Sequence, residues 1–101
     1  MAKKSQINRD RKRKALIVRY AARRTELRKR LNDASVSIEE KLDIQQEFSK
    51  LPRNSCSTRL NRRCEITGRS KSYYRKFAIS RIALRELTLR GQLPGMRKSS
   101  W

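Results

Sequence analysis

Along the first third of the chain, Leu16, Tyr20, Leu27 and Leu31 recur at spacings of 4, 7 and 4, a single stripe at the helical period. No glycine or proline interrupts residues 3–31, and Ala, Arg, Lys, Leu and Glu dominate the segment. The pattern therefore predicts one long helix from about Lys3 to Leu31. Arg9, Arg11, Lys12, Arg13, Lys14, Arg19, Arg23, Arg24, Arg28, Lys29 and Arg30 occupy nearly every other face. A helix that is basic on most sides buries little against its own protein and suits a negatively charged surface.

Asn32-Asp33-Ala34-Ser35 breaks this helix. Ser37 opens a second one with Glu40 three residues on, the pattern of a capping box in which each side chain satisfies an orphan backbone donor. Ile38, Leu42, Phe48 and Leu51 are its expected inner face, and Glu39, Glu40 and Asp43 suit the positive end of its dipole. Pro52 ends it, because the residue before a proline is pushed out of the helical region. The segment reads as a strut that turns the chain back.

Residues 52–63 form a basic, polar loop, with one helical turn expected near Arg59-Leu60. Cys64-Glu65-Ile66-Thr67 is expected to be extended and to turn at Gly68, with Tyr73 and Tyr74 on the return strand, a small hairpin. A further helix is predicted from Arg81 to Arg90. Ser80 is placed to cap it and Gly91 to close it, with Ile79, Ala83, Leu84 and Leu87 on its apolar side. Leu93-Pro94-Gly95 then leads into a basic tail. The fold class is thus mainly α with irregular segments: a long basic N-terminal helix, a second helix, a loop, a hairpin and a C-terminal helix.

Charge changes how these elements are read. The 101 residues carry 28 Lys and Arg against 9 Asp and Glu, a net charge of +19, where a small soluble domain usually has about 2 to 8 in magnitude. Residues 1–36 hold 13 basic and 3 acidic side chains, residues 37–51 hold 2 and 4, and residues 52–101 hold 13 and 2. Two basic segments flank an acidic strut, which divides the chain into a helical basic extension with its strut (1–51) and a second basic module (52–101). Leu, Ile, Val and Phe make up only 21 of the 101 residues, close to the roughly 20 % level at which highly charged chains stay disordered. The free chain is expected to be partly helical, to melt with little cooperativity, and to gain order on a polyanion.

Several function classes fall away. No apolar run approaches the roughly 20 residues that cross a bilayer, and Lys3, Lys4, Arg9 and Asp10 leave no room for the apolar core of a secretory signal. Asp10 and Glu26 likewise argue against a transit peptide. Histidine is absent, which removes the commonest general base and the commonest metal ligand. With few carboxylates and no phosphate-cradling glycine loop, nothing assembles into a catalytic constellation, so an enzyme is not expected. Cys56 and Cys64 read as reduced thiols in a cytosol-like compartment, a disulfide between them being the minority reading.

The chemistry lies in dense arginine with interleaved aromatics from Arg53 onward. A guanidinium grips phosphate with two hydrogen bonds and stacks on a base, and Tyr73, Tyr74, Phe77 and Trp101 offer planes for unstacked bases. For Phe77 a core position outweighs stacking; for Trp101 both readings stand. A nucleoid-type DNA-binding protein would share the arginine-rich backbone contacts, but the chain has neither minor-groove wedge aromatics nor a dimerising heptad. A membrane-surface or calmodulin-type helix at residues 3–31 would lack Trp and Phe on its apolar face.

At residues 63–85 the pattern becomes specific. Arg63-Cys64, then after twelve residues Phe77-Ala78-Ile79-Ser80-Arg81, then after three more Arg85, resembles the fingerprint of the small-subunit ribosomal protein fourteen family. Thr67-Gly68-Arg69, Tyr74-Arg75-Lys76-Phe77, Leu84-Arg85-Glu86, Leu93-Pro94-Gly95 and Ser99-Ser100-Trp101 agree with it, and Leu51-Pro52-Arg53-Asn54-Ser55 looks like the long bacterial form. The resemblance covers the whole chain and is tightest over residues 51–101.

It implies a non-catalytic protein of the small-subunit head. Such a protein would bind the 3′ major domain of 16S RNA near small-subunit proteins three, ten and nineteen. It would support assembly and the aminoacyl-tRNA region, in a bacterial cytoplasm or an organelle with bacterial-type ribosomes. The expected RNA-binding residues are Arg9, Arg13, Arg23, Arg53, Arg59, Arg62, Arg63, Arg69, Lys71, Arg75, Lys76, Arg81, Arg85, Arg97, Lys98 and Trp101. Short members of the family carry a zinc ribbon whose four cysteines fall at positions 64, 67, 80 and 83. This chain has Cys64, Thr67, Ser80 and Ala83 there, and one thiolate does not hold zinc. A degenerate, zinc-free, RNA-stabilised and extended module is expected, with Ile66, Ile79 and Leu84 and the Ser80 cap holding the hairpin to the helix.

Overall fold

The computed structural model of this chain describes residues 2–100. Its elements run α1 (Lys4–Asn32), α2 (Ile38–Lys50), two 3₁₀ turns (Arg53–Ser55 and Ser57–Arg59), β1 (Tyr73–Tyr74), β2 (Ile79–Ser80) and α3 (Arg81–Leu89). The chain is mainly helical, with one two-stranded antiparallel sheet. It forms two compact units, Asn8–Leu60 and one that joins residues 2–7 to 61–100.

In the Asn8–Leu60 unit, α1 presents its stripe as the spacing predicts: Leu27 is fully buried, and Leu16, Tyr20 and Leu31 are half-buried. The covered side also carries Arg13 and Arg24, both half-buried. Asp33 Oδ1 accepts from the Ser35 backbone at 3.1 Å and from its hydroxyl at 2.9 Å, an Asx turn that follows the end of α1. Ser37 then caps α2, its hydroxyl accepting from the Glu40 amide at 3.3 Å, and Leu51 leaves the helix in an extended conformation before Pro52.

The inner face of α2 differs from the expected one. Ile38 and Leu42 are 79 % and 55 % exposed, Phe48 and Leu51 are half-buried, and the buried residue is Ile44. Polar contacts fix the rotation: Arg23 reaches Glu47 at 2.9 Å, and the Arg24 guanidinium lies 5.8 Å from the Phe48 ring centroid. These two contacts turn the side bearing Lys41, Ile44, Glu47 and Phe48 inward. Arg24 continues to the following turns, its Nε donating to Ser55 Oγ at 3.0 Å and a terminal nitrogen to the Pro52 carbonyl at 3.5 Å. These contacts lie within the unit that runs to Leu60, and the helical turn expected near Arg59-Leu60 is two short 3₁₀ turns.

In the other unit the hairpin lies one segment later than expected. Residues 64–69 make a tight turn, with Gly68 N–H donating to the Cys64 carbonyl at 2.8 Å and Cys64 N–H to the Arg69 carbonyl at 2.9 Å. Gly68 sits at φ +73°, and a Cβ there would meet Ile7 Cδ1 at 2.9 Å. A positive φ this close to a neighbour demands glycine. The β-favouring Ile66 and Thr67 are overridden by this turn, and Ile66 is 62 % exposed rather than part of the core. The strands are instead Tyr73–Tyr74 and Ile79–Ser80, paired Tyr73 to Ser80 and Tyr74 to Ile79. The turn at 75–78 closes with Ala78 at φ +57° and leaves Phe77 partly exposed at 37 %, so the core position expected for that ring is not found.

The core of this unit is Cys64, Ile79 and Ala83, with Leu84, Leu87 and Leu93 packed against it. Ser80, completely buried, caps α3 by accepting from the Ala83 amide at 3.4 Å. The far end closes on Gly91 at φ +74°, with Gln92 N–H donating to the Leu87 carbonyl at 3.0 Å, a Schellman motif.

Candidate nucleic-acid interface

Of the residues expected to grip RNA, Arg9, Arg23, Arg53, Arg59, Arg62, Lys71, Arg75, Lys76, Arg81, Arg85, Arg97 and Lys98 are exposed, and Arg13, Arg63 and Arg69 are half-buried. Trp101 lies outside the described residues. Three of these side chains have structural partners within the protein. Arg13 donates to the Arg59 carbonyl at 3.3 Å, and Arg63 donates to the Gly68 carbonyl at 3.0 Å, bracing the 64–69 turn. Arg23 is divided between Glu26 at 3.3 Å and Glu47 at 2.9 Å. The two ion pairs of Arg23 are about half exposed, so their net contribution is modest, about 0–1 kcal/mol.

Many of the expected cations, together with Arg24, line concavities that each lie within one unit. In the Asn8–Leu60 unit, Arg24, Arg53 and Arg59 line a cleft of about 300 Å³ whose apolar wall includes Phe48 and Leu51. In the other unit, Arg63, Arg69 and Lys71 line a cleft of about 280 Å³ with Gln6 and Ser70. Arg69 Nε is buried there with no acceptor among the described residues, and an unanswered guanidinium donor is costly unless an anion meets it. A groove of about 390 Å³ between α3 and the tail brings together Arg81, Arg85, Arg97 and Lys98. The hairpin turn carries Arg75 and Lys76, the latter 5.9 Å from the Phe77 ring centroid.

Arg24, placed by the sequence among the basic faces, is structural; the signal for it is its spacing, four residues after Tyr20 and three before Leu27 on the buried stripe. The arrangement around the thiols was not. Cys56 is half-buried, its sulfur 3.0 Å from Thr58 Oγ1. The contacts with Thr58 and the nearby charges of Arg24 and Arg28 lower its pKa. At Cys64 burial disfavours the anion, but the Thr67 hydroxyl and the backbone N–H groups of Thr67, Ser80 and Ile66 outweigh it and bring the thiol down to about 6. Both cysteines are free thiols. Among the described residues no group of three or more His, Cys, Asp or Glu could hold a metal, and no helix is long and apolar enough to cross a membrane.

Cationic clefts on a thinly cored helical frame define a class: an arginine-rich structural protein with a surface suited to a polyanion. The family model described as ribosomal protein S14p/S29e matches residues 47–100. The small ribosomal subunit protein uS14 of Ruegeria pomeroyi is 54 % identical over all 101 residues, that of Roseobacter denitrificans 52 % and that of Caulobacter vibrioides 48 %, with the whole of each chain covered. The chain belongs to this ribosomal protein family; it is a structural protein of translation and not an enzyme.

Proposed function

We propose that the chain is a structural constituent of the small ribosomal subunit, in the cytoplasm or in an organelle with bacterial-type ribosomes. It binds 16S RNA in the 3′ major domain of the head, beside proteins three, ten and nineteen, and supports assembly and the aminoacyl-tRNA region. The observation that carries the RNA reading is the excess of 28 cations over 9 anions, held exposed on a frame that buries few apolar side chains. Phosphate contact turns this self-repelling surface into binding energy through counterion release. Arg9, Arg53, Arg59, Arg62, Lys71, Arg75, Lys76, Arg81, Arg85, Arg97 and Lys98 act as direct grips, with Arg69 the inner donor of its cleft and Trp101 a stacking plane. Arg13, Arg23 and Arg63 meet the RNA while bracing the fold. In this reading residues 1–51 are a basic extension with an acidic strut, and residues 52–101 are the principal RNA-binding module.

We further propose that this module is a zinc ribbon without its metal. Thr67 supplies a hydroxyl donor to Cys64, Ser80 a backbone donor and the α3 cap, and Ala83 a methyl in the same core. One sulfur beside a hydroxyl and a methyl is not a tetrahedral zinc donor set. Hydrogen bonds and packing do there what four metal bonds would otherwise do, and metal analysis of the pure protein should find no stoichiometric zinc. The functional test is sedimentation of the full-length chain with small ribosomal subunits. Co-migration that survives a high-salt wash is expected. Loss of the protein in the wash, or displacement by duplex DNA at equal salt, would contradict the proposal.

A further inference from the structure

The groove between α3 and the tail differs from the other two clefts in having a partly exposed apolar floor. Leu84 is half-buried at its base, while Leu89 and Met96 are 69 % and 37 % exposed. Arg81, Arg85, Arg97 and Lys98 line the groove with these residues, and among the described residues no carboxylate does; Glu86 lies on the adjoining face that shares Arg81, Arg85 and Leu89. Thr88 donates its hydroxyl proton to the Leu84 carbonyl at 2.8 Å, leaving its oxygen lone pairs to accept from a ligand.

A duplex offers phosphates and 2′-hydroxyls to such a groove, but its base faces are already stacked and cannot cover Leu89 and Met96. An unpaired nucleotide supplies both parts: a flat apolar face for the floor and flanking phosphates for the rim. The volume of about 390 Å³ lies at the lower end of the roughly 300–1,000 Å³ that small-molecule sites occupy, room for a nucleotide rather than a helix. An acidic peptide would satisfy the four cations but would present no comparable plane. Resting on the RNA-binding function proposed above, we infer that the groove of Arg81, Arg85, Leu89, Met96, Arg97 and Lys98 receives a single unpaired nucleotide of the RNA. It reads an extruded base, while the other clefts clamp backbone.

The test uses the full-length chain carrying a photo-reactive benzophenone side chain at position 89, bound to a transcript of the small-subunit head RNA. Irradiation should give an RNA adduct whose reverse-transcription stops fall at an unpaired position. Alongside it, the charge-neutral double variant Leu89→Ala with Met96→Ala should lower affinity about 5- to 30-fold with the salt slope unchanged. Arg85→Ala should reduce that slope by about one. Stops within paired segments, no adduct while affinity is retained, or an adduct to protein in intact subunits would overturn the inference and leave RNA binding standing. Failure of the wild-type chain to bind the transcript would overturn both readings.

Discussion

Cys64 is the residue at which chemistry and fold are most tightly joined. The residue is only 3 % exposed, yet the Thr67 hydroxyl and three backbone N–H groups favour the anion strongly enough to bring the thiol from 9.0 to about 6. A folded-state pKa below the unfolded value stabilises the fold fully above the unfolded pKa, and the benefit is lost as pH falls through the folded one. The thiolate contribution is therefore present above pH 9 and gone below about 6. In the RNA-bound Cys56→Ser chain, the ¹³Cβ resonance of Cys64 should titrate with a midpoint near 6, and Thr67→Val should move that midpoint upward. A midpoint at the ordinary thiol value in both proteins would mean that the donors do not converge on the sulfur. The family resemblance marked Cys64 as what remains of a metal site, but the donor shell was not readable from the sequence because most of it is backbone.

Among the elements, the helices were legible and the hairpin only in part: Tyr73–Tyr74 is a strand as expected, but its partner is Ile79–Ser80 rather than Cys64–Thr67, and the difference is physical. Uninterrupted period and chemically specific ends defined α1, α2 and α3: Ser37 and Ser80 cap as their positions require, and Gly91 closes α3. Cys64–Thr67 holds two β-favouring residues, Ile66 and Thr67, but closes into a turn through the Gly68-to-Cys64 and Cys64-to-Arg69 backbone hydrogen bonds, with Gly68 left-handed. The rotation of α2 was equally hidden: Ile44 is the residue it buries, with Phe48 beneath Arg24 and Glu47 paired to Arg23 on the same side, while Ile38 and Leu42 stay exposed. This makes Arg24 a structural joint. A lysine has neither the planar two-nitrogen fork that meets Ser55 and Pro52 nor the flat guanidinium that lies over Phe48, so Arg24→Lys should loosen the 53–59 turns by about 1–3 kcal/mol. The expected reading is faster hydrogen exchange at the Ser55, Cys56 and Leu60 amides, with the salt dependence of RNA binding unchanged. Unaltered protection at those amides would remove Arg24 from this role.

At the scale of the whole molecule, the net charge of +19 and the small core belong to one design. The buried apolar residues of the described chain are Leu27, Ile44, Cys64, Ile79 and Ala83, too few to hold two compact units rigidly against self-repulsion. Isolated at low salt, the protein should show partial helix by circular dichroism and melt without a sharp transition, gaining helix and cooperativity with RNA. A sharp two-state melt of the free chain would show that the core suffices alone. The sequence made this balance plain through composition, but not which cations are spent inside the fold: nothing in the charge pattern separates Arg23 or Arg63 from Arg53 or Arg81. The central claim, that the excess charge is an RNA phosphate grip, is tested most directly by measuring affinity for the head-domain RNA against salt. Contact with about 6 to 10 phosphates predicts a fall of about 10³- to 10⁵-fold between 50 and 200 mM salt, whereas a flat response would contradict it.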